Sequence, residues 1–334
     1  MVVRSRAGED PCPVGADRST DYVEYGIVAY EIDWAREWTN GNAGSRREAL
    51  VIAHGTALGR RELPVHPPVK RTEDLNVSVN LSIEGGIATV TLNRPERMNA
   101  LTWEMREQLH VHFRRIRFDD DVRAVIVTGA GTHFCSGADV TRMGDKSDLR
   151  AGRDRLQKGS QSYIRELHAI EKPTIAAVPG VAVGVGWSIA LACDMVVCGE
   201  SSRFGAVFAK IGLAPDGGNV WFLTRRVGMA RAKELVFSAR QVEAEEAAKL
   251  GLTEYVVPDA EVMAKANSLA SEFAQGPTFA LGLAKKLIHY ASGPSLEDFL
   301  EMESLVQPAL HYTADNPEGV AAFKEKRKPR FVGR

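Results

Sequence analysis

Neither charge dominates this 334-residue chain: 42 Lys and Arg stand against 43 Asp and Glu, a formal net charge of −1. That balance supplies no global field for nucleic acid or an anionic membrane, so neither is expected as a partner, and an anionic ligand must be met by local cations. Cysteine is scarce. Cys12, Cys135, Cys193 and Cys198 form no CxxC pair and no regular framework. A chain this long needs no disulfide staples, so a reducing cytoplasm is the expected setting. The first twenty residues mix charges, Gly and Pro without the apolar stretch of a secretory signal. The eight histidines show no HExxH or other metal spacing, and His110 and His112, two apart on an expected helix, do not share a face. No metal is expected.

Long charge-free runs are as rare as cysteine. Residues 174–193 form one of twenty residues, a membrane span by length alone. Pro179, Gly180, Gly184 and Gly186 divide it into a short strand, a turn and the start of a helix, which marks buried protein. Gly129-x-Gly131 and Gly184-x-Gly186 lack the third glycine of a dinucleotide loop, so a nicotinamide cofactor is not expected. Ser188, in "GWSIA", lacks the second glycine of GxSxG and has no histidine placed to activate it, which argues against a hydrolytic serine.

With 44% hydrophobic and 25% charged residues, the composition is that of a soluble globular protein with one large or two ordinary domains. Residues 1–75 differ from the rest, with turn-rich stretches such as "GEDPCPVGADRST" and "LPVHPPVKRTED". They read as a loosely packed N-terminal extension with a short helix near residues 33–38. Order begins at "VSVNLSIEGGIATVTLNRP", where Val77, Val79, Leu81 and Ile83 alternate, Gly85 and Gly86 turn the chain, and Ala88, Val90 and Leu92 alternate back. This is a hairpin. Leu101, Met105, Leu109, Phe113 and Ile116 then keep helical spacing after a cap assigned to Asn99. "VRAVIVTGAG" reads as a buried strand, followed by the loop "THFCSGADV", and the run at 174–193 repeats the strand, glycine turn and helix. Repeated units of this kind predict an α/β core over residues 76–265 with its site at the loops after the strands, and a helical region over 266–334.

One short stretch, "GLAPDGGNVW" at 212–221, carries a lone carboxylate, Asp216, between a proline and two glycines. Local rules make it a turn aspartate.

"LNRPERMNAL" (92–101), "FCSGADV" (134–140), "KPTIAAVPGVAVGVGWSIALACD" (172–194) and "AAFKEKRKPRF" (321–331) together resemble the crotonase, or enoyl-CoA hydratase and isomerase, superfamily. The resemblance runs from about Val77 to the C-terminus. It implies an α/β fold with a spiral core of repeated ββα units and C-terminal helices that build homotrimers or dimers of trimers. It also implies an acyl-CoA thioester substrate, with coenzyme A as part of the substrate and no separate cofactor. An oxyanion hole falls on the N–H groups of Ala138 and Val185. Ala138, Asp139 and Val140 then cradle the adenine, and Arg94 or Arg97 faces the CoA phosphates, a solvated surface role being the alternative for both. The basic run beginning at Lys324 divides in the same way between phosphate contact and solubility.

The hydratases that the chain resembles carry two glutamates, and here those positions are Ser188 and Phe208. Ordinary two-glutamate hydration is therefore disfavoured. "GLAPDGGNVW" and "PTFALGLAKKLI" (277–288) instead look like the branch of ring-1,2-epoxyphenylacetyl-CoA and related enoyl-CoA isomerases, which place an aspartate after "GL-x-P". The resemblance turns Asp216 into the candidate acid/base, with Trp187, Ser188, Phe208 and Leu213 at an acyl pocket. It implies an acyl-CoA isomerase. A hydratase or hydrolase in which Asp216 directs water, and a non-catalytic acyl-CoA binding subunit, stand as alternatives.

Overall fold

The computed structural model describes residues 78–142 and 148–334. The extension at 1–75, with its expected helix near 33–38, lies outside the described residues. The hairpin forms as its alternation predicts: strands β1 (Val79–Glu84) and β2 (Ile87–Leu92) pair antiparallel. Gly85 and Gly86 both take positive φ, 57° and 81°, which a two-residue hairpin turn requires. Helix α1 (Trp103–Phe118) buries Met105, Leu109, Phe113 and Ile116. Its cap is Thr102, whose hydroxyl accepts from the Met105 N–H, and not Asn99. Asn99 sits in a left-handed turn at φ 55°, and its side chain receives the Arg94 N–H and donates to the Ala130 and His133 carbonyls. It ties the turn before α1 to the loop after the next strand.

That strand, β3 (Ala124–Gly129), continues parallel to β2. After helices α2 (Leu149–Lys158) and α3 (Ser160–His168), the charge-free run yields β4 (Thr174–Val178), a second short strand β5 (Val181–Val183) and helix α4 (Val185–Ala192). The next unit repeats this order with β6 (Met195–Gly199), β7 (Arg203–Gly205) and α5 (Asn219–Ser238), the last broken at Gly228 where φ is 72°. In both units the first strand joins a sheet of six, β1-β2-β3-β4-β6-β9. The second strand joins a sheet of three, β5-β7-β8, with β8 at Val242–Glu243 and β9 at Tyr255–Val257. Helix α6 (Ala244–Lys249) lies between these last two strands.

The large sheet is buried on both faces, as parallel strands require. Val125, Val127, Ala176 and Val178 pack with α1, α3 and α4, while Ala124, Ile126, Ile175 and Ala177 pack with Val262, Ala266, Leu269 and Ala270 of helix α7 (Val262–Ala274). The expected boundary at 265/266 falls inside α7, and the core runs on to Ala274 because this helix covers the second face. Three further helices follow, α8 (Thr278–Tyr290), α9 (Leu296–Ala309) and α10 (Asp315–Glu325). Among the described residues no helix is long and apolar enough to cross a membrane.

Candidate active site

The site begins where the loop after β3 meets the loop before α4. Cys135 forms a one-residue parallel bridge with Ala182: its N–H donates to the Val181 carbonyl and its carbonyl accepts from the Val183 N–H, both at 3.0 Å. Parallel strands keep step, so three residues beyond each partner stand Ala138 and Val185. Gly137 and Gly184, at φ 102° and 57°, bring these backbones together, and a Cβ built on Gly137 would stand 3.2 Å from the Val183 carbonyl and 3.8 Å from the Gly184 Cα. On the other side of the first loop, the Leu101 N–H donates to the Gly137 carbonyl and the Asp139 N–H to the Leu101 carbonyl. Successive amides in extended chain alternate sides, which turns the Ala138 N–H away from Leu101. Val185 is the first residue of α4, where helical N–H groups have no partner of their own. Among the described residues neither N–H has a backbone acceptor. Two unpaired donors on facing loops are the arrangement that stabilises charge developing on a carbonyl oxygen.

Asp216 is delivered to the same place by its turn. Gly217, at φ 60°, lies on the first turn of α4, where a Cβ would stand 3.0 Å from Val185 Cγ2 and 3.1 Å from Ser188 Cβ. The Ser188 hydroxyl donates to the Asp216 carbonyl at 3.0 Å, and the Asn219 N–H donates to the same oxygen at 3.2 Å. With its peptide fixed from two sides, the carboxylate accepts from the Ser160 hydroxyl at 3.5 Å through Oδ2, while Oδ1 is buried without a partner. Burial pushes the carboxyl above its ordinary range, opposed by the positive charge of Arg106 and by the Ser160 hydrogen bond. A desolvated carboxylate of this kind is a stronger base than an exposed one.

Four residues that the sequence reading did not single out complete this cluster: Arg106 on α1, Ser160 and Tyr163 on α3, and Asn219 at the start of α5. The Tyr163 hydroxyl, both side-chain polar atoms of Asn219 and the Arg106 Nε are all buried without a hydrogen-bond partner. Ser160 and Tyr163 are three apart on one helix face, a spacing visible in "GSQSYI", but nothing local links that face to residue 216.

The other expected site residues divide. Arg94 does not stand free for a phosphate, since its guanidinium donates to Asp139 at 2.5 Å and to the Ala100 carbonyl at 3.1 Å. Asp139 accepts from Thr141 as well as Arg94, and both hold its carboxyl down at about 2. This pair braces the loop beside Ala138. Arg97 and Val140 are exposed on the same loops. Phe208 is buried, in a 3-10 turn (Val207–Ile211), and its carbonyl accepts from the Leu213 N–H, which leaves the Leu213 side chain exposed. Trp187 is 1% exposed, and its ring packs on Phe204 in the core. Ser188, also fully buried, holds the Asp216 peptide in place of forming a pocket wall. Lys324 is exposed on α10, beside a cavity of about 380 Å³ that Pro277, Leu310, Val320 and Phe323 help to line, away from Asp216 in sequence and fold. The Cys135 thiol is pushed up to about 12 by burial, which removes it as a nucleophile. Among the described residues no group of three His, Cys, Asp or Glu side chains is placed to hold a metal.

The family model described as Enoyl-CoA hydratase/isomerase matches residues 82–334. The 1,2-epoxyphenylacetyl-CoA isomerase of Escherichia coli is 39% identical over 257 residues, covering 75% of this chain and 97% of that one. The short-chain-enoyl-CoA hydratase of Clostridium acetobutylicum is 36% identical over 252 residues, 75% of this chain and 96% of the relative. In three dimensions the chain is similar to the crystal structure of an enoyl-CoA hydratase from Bacillus anthracis, with a TM-score of 0.73 at 31% identity over 77% of this chain and 100% of the other.

Proposed function

Because the chain belongs to the enoyl-CoA hydratase/isomerase family, with the crotonase fold and activity on CoA thioesters, we propose that it is an acyl-CoA isomerase in which Asp216 moves the proton. The observation that carries this reading is one desolvated carboxylate beside two unpaired N–H donors, with no second carboxylate at Ser188 or Phe208. In this mechanism Asp216 takes a proton from a carbon of the acyl chain and becomes a carboxylic acid. The C–H electron pair moves into the thioester carbonyl, and the enolate oxygen is held by the Ala138 and Val185 N–H groups. The conjugated enolate then takes the same proton back at a different carbon, so one C–H bond breaks, another forms and the double bond shifts. The reaction balances with no cofactor beyond the CoA carried by the substrate. Two donors of this type contribute on the order of 3 kcal/mol each to the transition state.

Asp216→Asn tests the reading directly. The variant should lose isomerisation by at least about a thousandfold while binding the CoA ester nearly as well, because an amide accepts no proton at neutral pH. Isomerisation at the parent rate by a folded Asp216→Asn overturns the assignment.

Hydration is the second reading. The unpartnered Oδ1 of Asp216 has the chemistry to direct water, and the Clostridium relative is named a hydratase. A product heavier by one water favours it, whereas a product of unchanged mass favours isomerisation.

We also infer that the C-terminal helices join copies of the chain, since α9 buries none of its residues within this one and exposes Leu296, Leu300 and Leu305.

A further inference from the structure

Arg106 is a buried-edge cation without an anion to touch. Its guanidinium lies against the start of α3, where a Cβ built on Gly159 would stand 3.5 Å from Nη1. Its Nε is buried without a partner, and among the described residues no carboxylate lies within 4.0 Å of it. The residue after Gly159 is Ser160, whose hydroxyl reaches Asp216 Oδ2. The cation and the candidate base thus meet two adjacent residues at the start of α3.

Among the described residues, the other groups set against Asp216 carry no charge at neutral pH: Ser160 and Tyr163 from α3 at its carboxylate, and Ser188 from α4 and the Asn219 N–H from α5 at its carbonyl. Burial raises both the Tyr163 phenol and the Cys135 thiol, and the charge of Arg106 opposes that rise in each. Among the described residues the cluster therefore pairs one positive with one negative charge that do not touch.

The separation matters because the same protein shows what contact does. Asp139, hydrogen-bonded by Thr141 and touching Arg94, is held at about 2 and is a poor base at neutral pH. An Asp216 with no cation nearby would go to the other extreme, since burial alone favours the protonated acid, which cannot accept a proton. A guanidinium held against Gly159, next to the serine that reaches Asp216, offsets part of the burial without capturing the carboxylate.

We propose that Arg106 is a positioning residue for the reaction, held against Gly159 next to Ser160 so that Asp216 stays ionised in the resting enzyme yet free to take up a proton. When the proton moves, the negative charge passes from Asp216 to the enolate, and Arg106 remains to balance it. This rests on Asp216 being the base.

The test is a pair of variants, Arg106→Met and Arg106→Lys, with Ser160→Ala beside them. Each is read for folding by circular dichroism and for the pH dependence of kcat/KM. The Asp216 carboxyl is also titrated by carbon NMR without substrate. Arg106→Met should move the acid limb and the NMR titration up by about one pH unit, a loss of about tenfold on the limb. Arg106→Lys should restore most of the shift because it restores the charge, and Ser160→Ala should move both readouts the same way by less. A folded Arg106→Met with an unmoved NMR titration overturns the proposal. So does a uniform fall at every pH that Arg106→Lys fails to repair. The NMR arm needs no turnover, so it separates this outcome from a failure of the isomerase reading, which Asp216→Asn alone decides.

Discussion

Asp216 is a carboxylate in surroundings that favour its neutral form. Its folded-state pKa is raised by burial. A raised carboxyl contributes stability below its unfolded pKa and loses that contribution as pH rises through the folded value. At neutral pH the ionised group therefore costs the fold stability that catalysis uses. Asp216→Asn should unfold at a higher temperature than the parent at pH 7, with the difference shrinking as the pH falls toward 4, and calorimetry across that range checks it. A parent that melts above the variant at pH 7 would contradict the burial argument. Tyr163 carries a related cost, because its hydroxyl is fully buried without a partner. Tyr163→Phe removes the unpaired group and keeps the ring, so it should raise stability by about 1 kcal/mol in a urea titration. That burial would raise this carboxyl follows from the apolar residues around it in the sequence, but its polar neighbours were not legible there. The local pattern of Pro215, Gly217 and Gly218 announces a turn and says nothing of Ser160 or Tyr163, which come from a helix more than fifty residues earlier.

At the scale of elements, legibility followed periodicity. The β1–β2 hairpin, α1 and the strand-turn-helix of residues 174–193 each carry their pattern within a dozen or so residues, and each forms as read. What one element does to another is not written in its own period. Asn99 has the composition of a cap but is taken up by two carbonyls of the loop after β3, while Thr102 caps the helix. Trp187 on α4 packs its ring against Phe204 of β7, a contact between elements that neither one's period announces. The docking of α4 also depends on a residue without a side chain. A Cβ on Gly186 would stand 2.5 Å from the Cys135 carbonyl and 2.7 Å from its Cβ. Gly186→Ala must push α4 off the loop that carries Ala138, spreading the two donors that face each other. Turnover should fall by roughly a hundredfold or more, about the loss of one oxyanion donor, and unfolding free energy by about 1–3 kcal/mol. Steady-state kinetics with a urea titration measures both, and an alanine variant with parental kcat would show that the hole does not depend on this packing.

The whole molecule has two halves that meet their burial needs differently. The core closes on itself: both faces of the large sheet are covered within the chain, by α1, α3 and α4 on one side and α7 on the other. Composition and strand pattern were enough to foresee such a core, although its end was set by α7 and not by the change to helical periodicity. The last helices do not close in the same way. Helix α8 is tied to the core by Lys285, which donates to Asp194 at 2.8 Å, and by Gly282, where a Cβ would strike the Glu171 carbonyl. Helix α9 has no such anchor of buried side chains. Leu296 and Leu300, 65% and 50% exposed, stand one turn apart on one face of the helix. An apolar pair of this kind suits contact with another surface, and a second copy of the chain supplies the same pair. Paired charges at Leu296→Glu and Leu300→Glu place carboxylates in any such contact without touching a residue that the core buries. Sedimentation velocity should then show a smaller species than the parent at the same concentration, with the thermal unfolding of the core little changed. If parent and variant sediment alike as one copy, α9 is not an interface; if both remain assembled, another face carries the association.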